Sequence, residues 1–292
     1  MDTPADRRRV AFAVLVAALG YFVDIYDLVL FSILRVPSLR GIGVSDAALT
    51  RTGGLLLNVQ LAGMIVGGVV LGVIGDRRGR LAVVFGSIVL YSLANLANAF
   101  VHSVPAYAVA RAVAGFGLAG ELGAGITLVG ELLPTRLRGV GTTIVAAVGL
   151  TGALAAGALA EWLLQRYGAG GWRAAYGVGG AMGLVLLALR VGVLESGLFT
   201  RAKETEGVAR GDLTMLVRPL ERLGRFVRVV LVGTPIWYAG GVLFVFAPEI
   251  GGALGLATRP TGGKTIFWAY LGVVIGDVVS GVPRPVAYFL VD

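Results

Sequence analysis

Polar and charged residues in this chain gather in short clusters, and long apolar stretches run between them. Bounded by those clusters, the sequence predicts eight helices, at residues 10–34, 55–74, 81–101, 106–129, 140–164, 174–194, 226–246 and 265–290. Each is about as long as the ~20 residues a helix needs to cross a bilayer. The stretch 55–74 is interrupted only by Asn58 and Gln60, and 81–101 only by a few Ser, Asn and Tyr. The longest polar stretch, 195–225, is mixed in charge and separates six predicted helices from the last two. The expected fold class is therefore an all-α integral membrane protein. A six-helix bundle (1–194) precedes a cytoplasmic linker (195–225) and the first two helices of a second bundle (226–292).

Composition agrees. Hydrophobic residues make up 57% of the chain and charged residues 14%, where a soluble domain has about 25% charged. The mean hydropathy is +0.85. The 46 glycines suggest helices that pack closely through small residues. With no cysteine, disulfides, thiol metal sites and thiol nucleophiles are excluded. The net charge of +8 does not point to nucleic acid, because the cations lie between apolar segments rather than on one soluble face. Sixteen of the 25 Lys and Arg fall in segments on the N-terminal side of the membrane and seven on the other. Arg111 and Arg284 lie within spans. This imbalance places the N-terminus in the cytoplasm, in a multi-pass protein of the inner membrane. Arg7-Arg8-Arg9 could open a cleaved signal. However, the apolar run that follows is too long, contains Asp24 and Asp27, and has no small-residue cleavage site.

Some motifs are decoys. Gly115-Phe-Gly117-Leu-Ala-Gly120 fits the dinucleotide fingerprint in letters, but that fingerprint needs a strand before it and a helix that opens at the glycines. Here the glycines lie inside an apolar span. Gly115, Ala119 and Gly123 fall four apart, the spacing that lets helix backbones touch, and Gly149, Ala153 and Gly157 repeat it. Gly263-Lys264-Thr265 lacks the first glycine of a phosphate loop, since that position holds Thr258. His102, the only histidine, reads as a surface residue at a loop edge. No nucleophile–base pair, metal cluster or phosphate loop stands in a sensible context, so neither an enzyme, a cofactor nor a metal is expected.

The informative charges are those inside spans. An ionisable group in the bilayer core costs about 2.5–3.5 kcal/mol, so it usually faces a cavity or a partner. Asp24 and Asp27 lie three apart on one face of helix 1. Helix 4 carries Arg111 and Glu121, and helix 8 carries Asp277. At 1.5 Å per residue, Asp27 lies ~25 Å along helix 1 and Arg111 only ~8 Å down helix 4 from the opposite surface. Both therefore fall in the outer half at similar depth, with Asp24 a turn deeper and Glu121 deeper still. An ion pair that only fixes packing is one reading; a proton or substrate path is the other. In helix 7, Pro235 sits mid-span in Gly233-Thr-Pro235-Ile-Trp237-Tyr238, where it frees a carbonyl and kinks the helix. One of Trp237 and Tyr238 would line a cavity, or else pack on helix 8.

Between helices 2 and 3 lies Gly72-Val-Ile-Gly-Asp76-Arg77-Arg78-Gly79-Arg80. This charged turn resembles the loop between helices 2 and 3 of the major facilitator superfamily of transporters. The resemblance implies a conformational latch formed by Gly72, Asp76, Arg77, Gly79 and Arg80. Asp24-x-Tyr-Asp27 is similar to the acidic helix-1 motif of proton-coupled carriers of organic and aromatic acids. Arg111-x-x-x-Gly115 resembles the helix-4 pattern whose arginine serves proton coupling, though Ala114 stands where many members have Gln. Glu131-x-x-Pro134-x-Arg136-x-Arg138-Gly139 looks like the motif shared with sugar porters. Glu195-Ser196 resembles a Pro-Glu-Ser element with Leu194 in place of its proline. Val73-Ile-Gly-Asp76 recurs as Val274-Ile-Gly-Asp277, a short echo without the arginines. The resemblance implies secondary transport in a lipid bilayer, with protons and a small organic anion or metabolite as partners. A sugar or neutral-solute porter, or a transport-inactive membrane protein, stands as the alternative. The family has twelve helices, so the expectation is a fragment or early-terminated transporter.

Overall fold

The computed structural model describes residues 4–78, 80–132, 135–195 and 219–281, together with Thr214. These form α1 (Pro4–Gly41), α2 (Leu49–Arg78), α3 (Arg80–Asn98), α4 (Val104–Leu132), α5 (Thr135–Tyr167) and α6 (Gly171–Glu195). After the linker come α7 (Leu220–Tyr238), a π-helical stretch (Ala239–Phe244), the short α8 (Ala247–Ala253) and α9 (Gly262–Gly281). All eight apolar stretches are helical over most of their described length, the ends at 99–101 and 245–246 being turns or irregular. Residues 196–213 of the linker and the last part of the eighth stretch lie outside the described residues.

The long helices other than α7 lie in a bundle with α1 at its centre, packed along α5 and touching α4, α6, α2 and α9. α2 and α3 both pack on α4, α3 also on α6, and α9 on α5. Close approach comes from missing side chains. A Cβ on Gly115 would come within 3.0 Å of the Gln60 carbonyl carbon, so α2 and α4 touch through backbone, as small-residue spacing predicts. The buried core joins Tyr26, Leu30, Phe31 and Leu34 of α1 to Tyr107 of α4 and Trp172 and Tyr176 of α6, all with essentially no exposure. Tyr107 stands edge-on to Phe31 at 5.6 Å and to Tyr176 at 6.1 Å.

The outer faces are apolar instead. Ile65 is 71% exposed and Val232 81%. Four described stretches, Val14–Gly41, Asp46–Arg77, Gly141–Val191 (which runs through α5 and α6) and Leu220–Phe244, are long and apolar enough to span a membrane. Lipid is the solvent that suits such faces, because every spanning backbone group is bonded within its helix. The chain is a multi-pass integral membrane protein, a six-helix bundle followed by two further long helices.

Element ends differ from the hydropathy pattern in an instructive way. α1 continues past residue 34 to Gly41 and carries Pro37 within it. Arg35, Ser38 and Leu39 are buried there, so tertiary packing extends the helix beyond its apolar run. α2 likewise runs through Asp76 and Arg77 to Arg78, and α3 resumes at Arg80. The charged turn expected between helices 2 and 3 is therefore largely helical, residue 79 lying outside the described residues. α7 begins before residue 226 and ends at Tyr238. The π stretch then follows Pro235 directly, in keeping with the expected break in hydrogen bonding.

Candidate functional site

The four charges singled out in helices 1 and 4 are all inside the bundle. Asp24, Asp27, Arg111 and Glu121 are 1–3% exposed. The 3.6-residue repeat puts both aspartates on the face of α1 that meets α4 and α6, and α4 and α1 run in opposite directions. Asp27 thus meets Arg111 near the start of α4, while Asp24, one turn back, meets Glu121 further along it. Asp27 and Arg111 share one level of the bundle, and Asp24 and Glu121, which touch, share another.

The upper cluster is open. The charge of Arg111 and the amide of Asn95 act on Asp27. Yet both Asp27 oxygens, and Nε and Nη1 of Arg111, lack a hydrogen-bond partner in good geometry. The Arg111 guanidinium lies 5.1 Å from the centre of the Phe31 ring and 5.7 Å from that of Tyr176, within cation–π range. Behind the rings, the Tyr107 hydroxyl donates to Ser38 Oγ at 3.0 Å and lies 2.7 Å from the Tyr176 hydroxyl. This leaves a positive group with free donors beside a carboxylate with free acceptors, in an aromatic wall.

The lower cluster is held by an ion pair, although Asp24 Oδ1 and both Glu121 oxygens also lack a hydrogen-bond partner in good geometry. Glu121 Oε1 lies 2.5 Å from Arg190 Nη2, and the Asp24 carboxyl sits against Glu121. Gly20 makes room for this pair, since a Cβ there would come within 3.0 Å of Glu121 Oε1. Tyr91 of α3 also reaches Glu121. Among the described residues, then, three buried carboxyls share the bundle interior with two guanidiniums. If all were ionised, one negative charge would be uncompensated, which a low-dielectric interior opposes strongly. One proton makes the set neutral.

Several members were not anticipated. Arg190, which the charge tally counts as a loop cation on the N-terminal side, belongs to α6 and is only 11% exposed. The polar residues of helix 3 form one buried stripe: Ser87, Tyr91, Asn95 and Asn98 are all at most 1% exposed. Their spacing of four, four and three was visible in the sequence. Arg35, also counted as a loop cation, is buried and pairs with Glu249 of α8 at 2.5 Å.

The other expected residues stand apart from these clusters. Trp237 and Tyr238 are 59% and 57% exposed on α7, which buries none of its residues. Gly72, Asp76 and Arg77 are exposed on α2. Gly79, and the side chain of Arg80, lie outside the described residues. Asp277 is half-buried on α9 and lies near Tyr21. His102 is at the surface, as expected, 3.2 Å from Arg173.

Comparison with known proteins agrees with this architecture. The Major Facilitator Superfamily matches over residues 10–292, and the chain belongs to that family. It is 27% identical over 256 residues to the niacin transporter NiaP of Acinetobacter baylyi, covering 79% of the chain and 56% of that protein. It is 28% identical over 215 residues to a gallate transporter of Pseudomonas putida, covering 70% of the chain and 46% of that protein. The inner membrane metabolite transport protein YhjE of Escherichia coli is 26% identical over 311 residues, covering 99% of the chain and 68% of that protein. The chain spans about half the length of the first curated relatives it matches. Among solved structures, the proton:xylose symporter XylE resembles it with a TM-score of 0.69 at 18% identity, covering 96% of the chain and 70% of XylE. That likeness establishes the fold.

Proposed function

We propose that this protein is a proton-coupled symporter of a small organic anion, working by alternating access in the inner membrane with its N-terminus in the cytoplasm. Arg111 receives the anion, Asp27 carries the coupling proton, and Asp24 and Glu121 with Arg190 form a second charge station below. The observation that carries this reading is the charge balance of three enclosed carboxyls against two guanidiniums. Arginine serves in proteins as a fixed positive charge. An anion entering beside Arg111 therefore competes with Asp27 for the same positive charge. A proton on Asp27 cancels the charge the anion brings, so that the interior is no more negative loaded than it is empty with Asp27 ionised. Proton and substrate then bind best together, which is what symport requires. Niacin and gallate, carried by two of the relatives, are aromatic carboxylates, and the rings of Phe31 and Tyr176 beside Arg111 suit that class.

Around this site, residues 1–194 and 226–292 act as parts of two bundles joined by 195–225, with the segment around Asp76 as a latch. In this reading one of Trp237 and Tyr238, beside Pro235, contributes to the substrate path. The test is pH-gradient-driven uptake beside counterflow in proteoliposomes of the full-length protein, with a panel of carboxylates and hexoses. Asp27→Asn should abolish accumulation yet leave exchange, whereas Arg111→Ala should abolish both. Accumulation by Asp27→Asn against a gradient would show that the proton binds elsewhere, and uptake of hexoses alone would overturn the substrate class.

A further inference from the structure

A cavity lies away from the acid clusters, at the end of the bundle where α1 finishes. It has a volume of about 460 Å³ and is enclosed by the last turns of α1 and α5, by Val245 and Pro248 before and in α8, and by residues 259–263 leading into α9. Arg35, Arg259, Glu161 and Gln165 supply its polar wall, and Ile33, Leu164 and Pro260 are among its apolar residues. A smaller cavity of about 280 Å³ shares Glu161, Gln165 and Gly263 with it and adds Lys264.

Arg35 is the unusual member. It is 1% exposed, yet its Nε and Nη1 have no hydrogen-bond partner. Only Nη2 is engaged, donating to Glu249 at 2.5 Å and to the Val245 carbonyl at 3.3 Å. Phe246 covers one face of the guanidinium at 4.7 Å. A buried arginine with two idle donors is a costly arrangement, and these donors belong to a residue that lines a cavity. Glu249 offers the clue to what they take, because it is itself a carboxylate on Arg35, and 29% exposed. Across both cavities the lining carries three cations (Arg35, Arg259, Lys264) and one acid (Glu161), and even with Glu249, the partner of Arg35, positive charge is in surplus.

The geometry points to a separate binding site for a small apolar monocarboxylate at this end of the bundle, with Arg35 and Arg259 on the carboxylate and Glu249 as the internal group it displaces. With the N-terminus in the cytoplasm, the site opens on the outer face, as a vestibule above Arg111. Its role as a vestibule rests on the proposed anion transport; the binding itself does not.

Benzoate is a suitable probe, with benzyl alcohol as its neutral counterpart, measured by titration calorimetry on the full-length protein in nanodiscs. The background is Arg111→Ala, which silences the deeper site. Benzoate, but not benzyl alcohol, should still bind. Arg35→Gln should weaken that binding about tenfold or more, and Arg259→Gln by less, as expected when a charged hydrogen bond is lost. Glu249→Gln should tighten it, since a competing carboxylate is removed. Loss of benzoate binding in Arg111→Ala alone, or binding indifferent to Arg35→Gln, overturns the site. Should Arg35→Gln not give folded protein, Glu249→Gln decides: tighter binding supports the site, and unchanged or weaker binding overturns it. These results are independent of transport, so a wild-type protein that binds benzoate at Arg35 yet shows no proton-driven uptake would refute the proposed function while leaving this site in place.

Discussion

Arg190 is the residue on which the lower charge station depends. Its partner Glu121 is 1% exposed, so removing the guanidinium strands a carboxyl in an interior that cannot hydrate it. Breaking a buried pair in this way costs about 3–5 kcal/mol. Arg190→Ala should therefore lower the unfolding temperature sharply, and Arg190→Ala with Glu121→Gln should recover part of the loss. If the double variant is no more stable than the single one, the pair is not what holds α6 to α4. At the top of the site, Tyr107→Phe removes the hydroxyl that links Ser38 and Tyr176, with an expected loss of about 1 kcal/mol per hydrogen bond. That also frees Tyr176 to turn away from Arg111, which should weaken anion binding measurably. The sequence exposed Asp24, Asp27, Arg111 and Glu121 because each interrupts the middle of an apolar stretch. Arg190 and Arg35 escaped because a cation near the end of a stretch is ordinarily one that reaches out to water. Only the fold, by bringing Glu121 and Glu249 to them, makes them interior.

At the scale of the element, helix existence was legible and helix ends were not. Hydropathy stops where charges begin, but α1 and α2 continue beyond that point, since backbone bonding and packing carry the helix on. For α2 this matters to the latch. Asp76 and Arg77 are on a helix C-terminal turn, where the helix dipole favours the arginine and disfavours the aspartate. Asp76 is held there at a cost that an arginine partner must offset in one conformation. Asp76→Asn should slow transport far more than it weakens substrate binding; equal losses in both would mean that the segment serves folding rather than gating. For α7, Pro235 removes one backbone donor and the π stretch Ala239–Phe244 follows at once. Pro235→Ala should restore regular hydrogen bonding and stiffen the segment. Slower transport with unchanged helix content by circular dichroism is the expected outcome. Transport as fast as wild type would show that the break has no part in the cycle.

At the scale of the whole molecule the open question of physics is which way the bundle faces, because the fold itself is compatible with either orientation. The lipid-facing apolar surfaces fix depth, not direction. Direction comes from the cations outside the bundle interior: without Arg190 and Arg35, fifteen lie in segments on the N-terminal side against six on the other, and positively charged segments are retained in the cytoplasm. The chain has no cysteine, so a single introduced thiol reports its position without background. Cysteines at Thr3 and Thr205 should resist an impermeant thiol reagent added to intact cells and react once the membrane is opened. Ser45, exposed between α1 and α2, and Ser103, exposed just before α4, should react from outside. The four sites together make the result decisive, since a helix count in error by one would break the alternation even if the N-terminus were placed correctly. Labelling of Thr3→Cys from outside, or protection of Ser45→Cys, would invert the molecule. Arg35 and its cavity would then open on the cytoplasm and the Asp76 segment outside, and the anion would meet the two arginine stations in the reverse order.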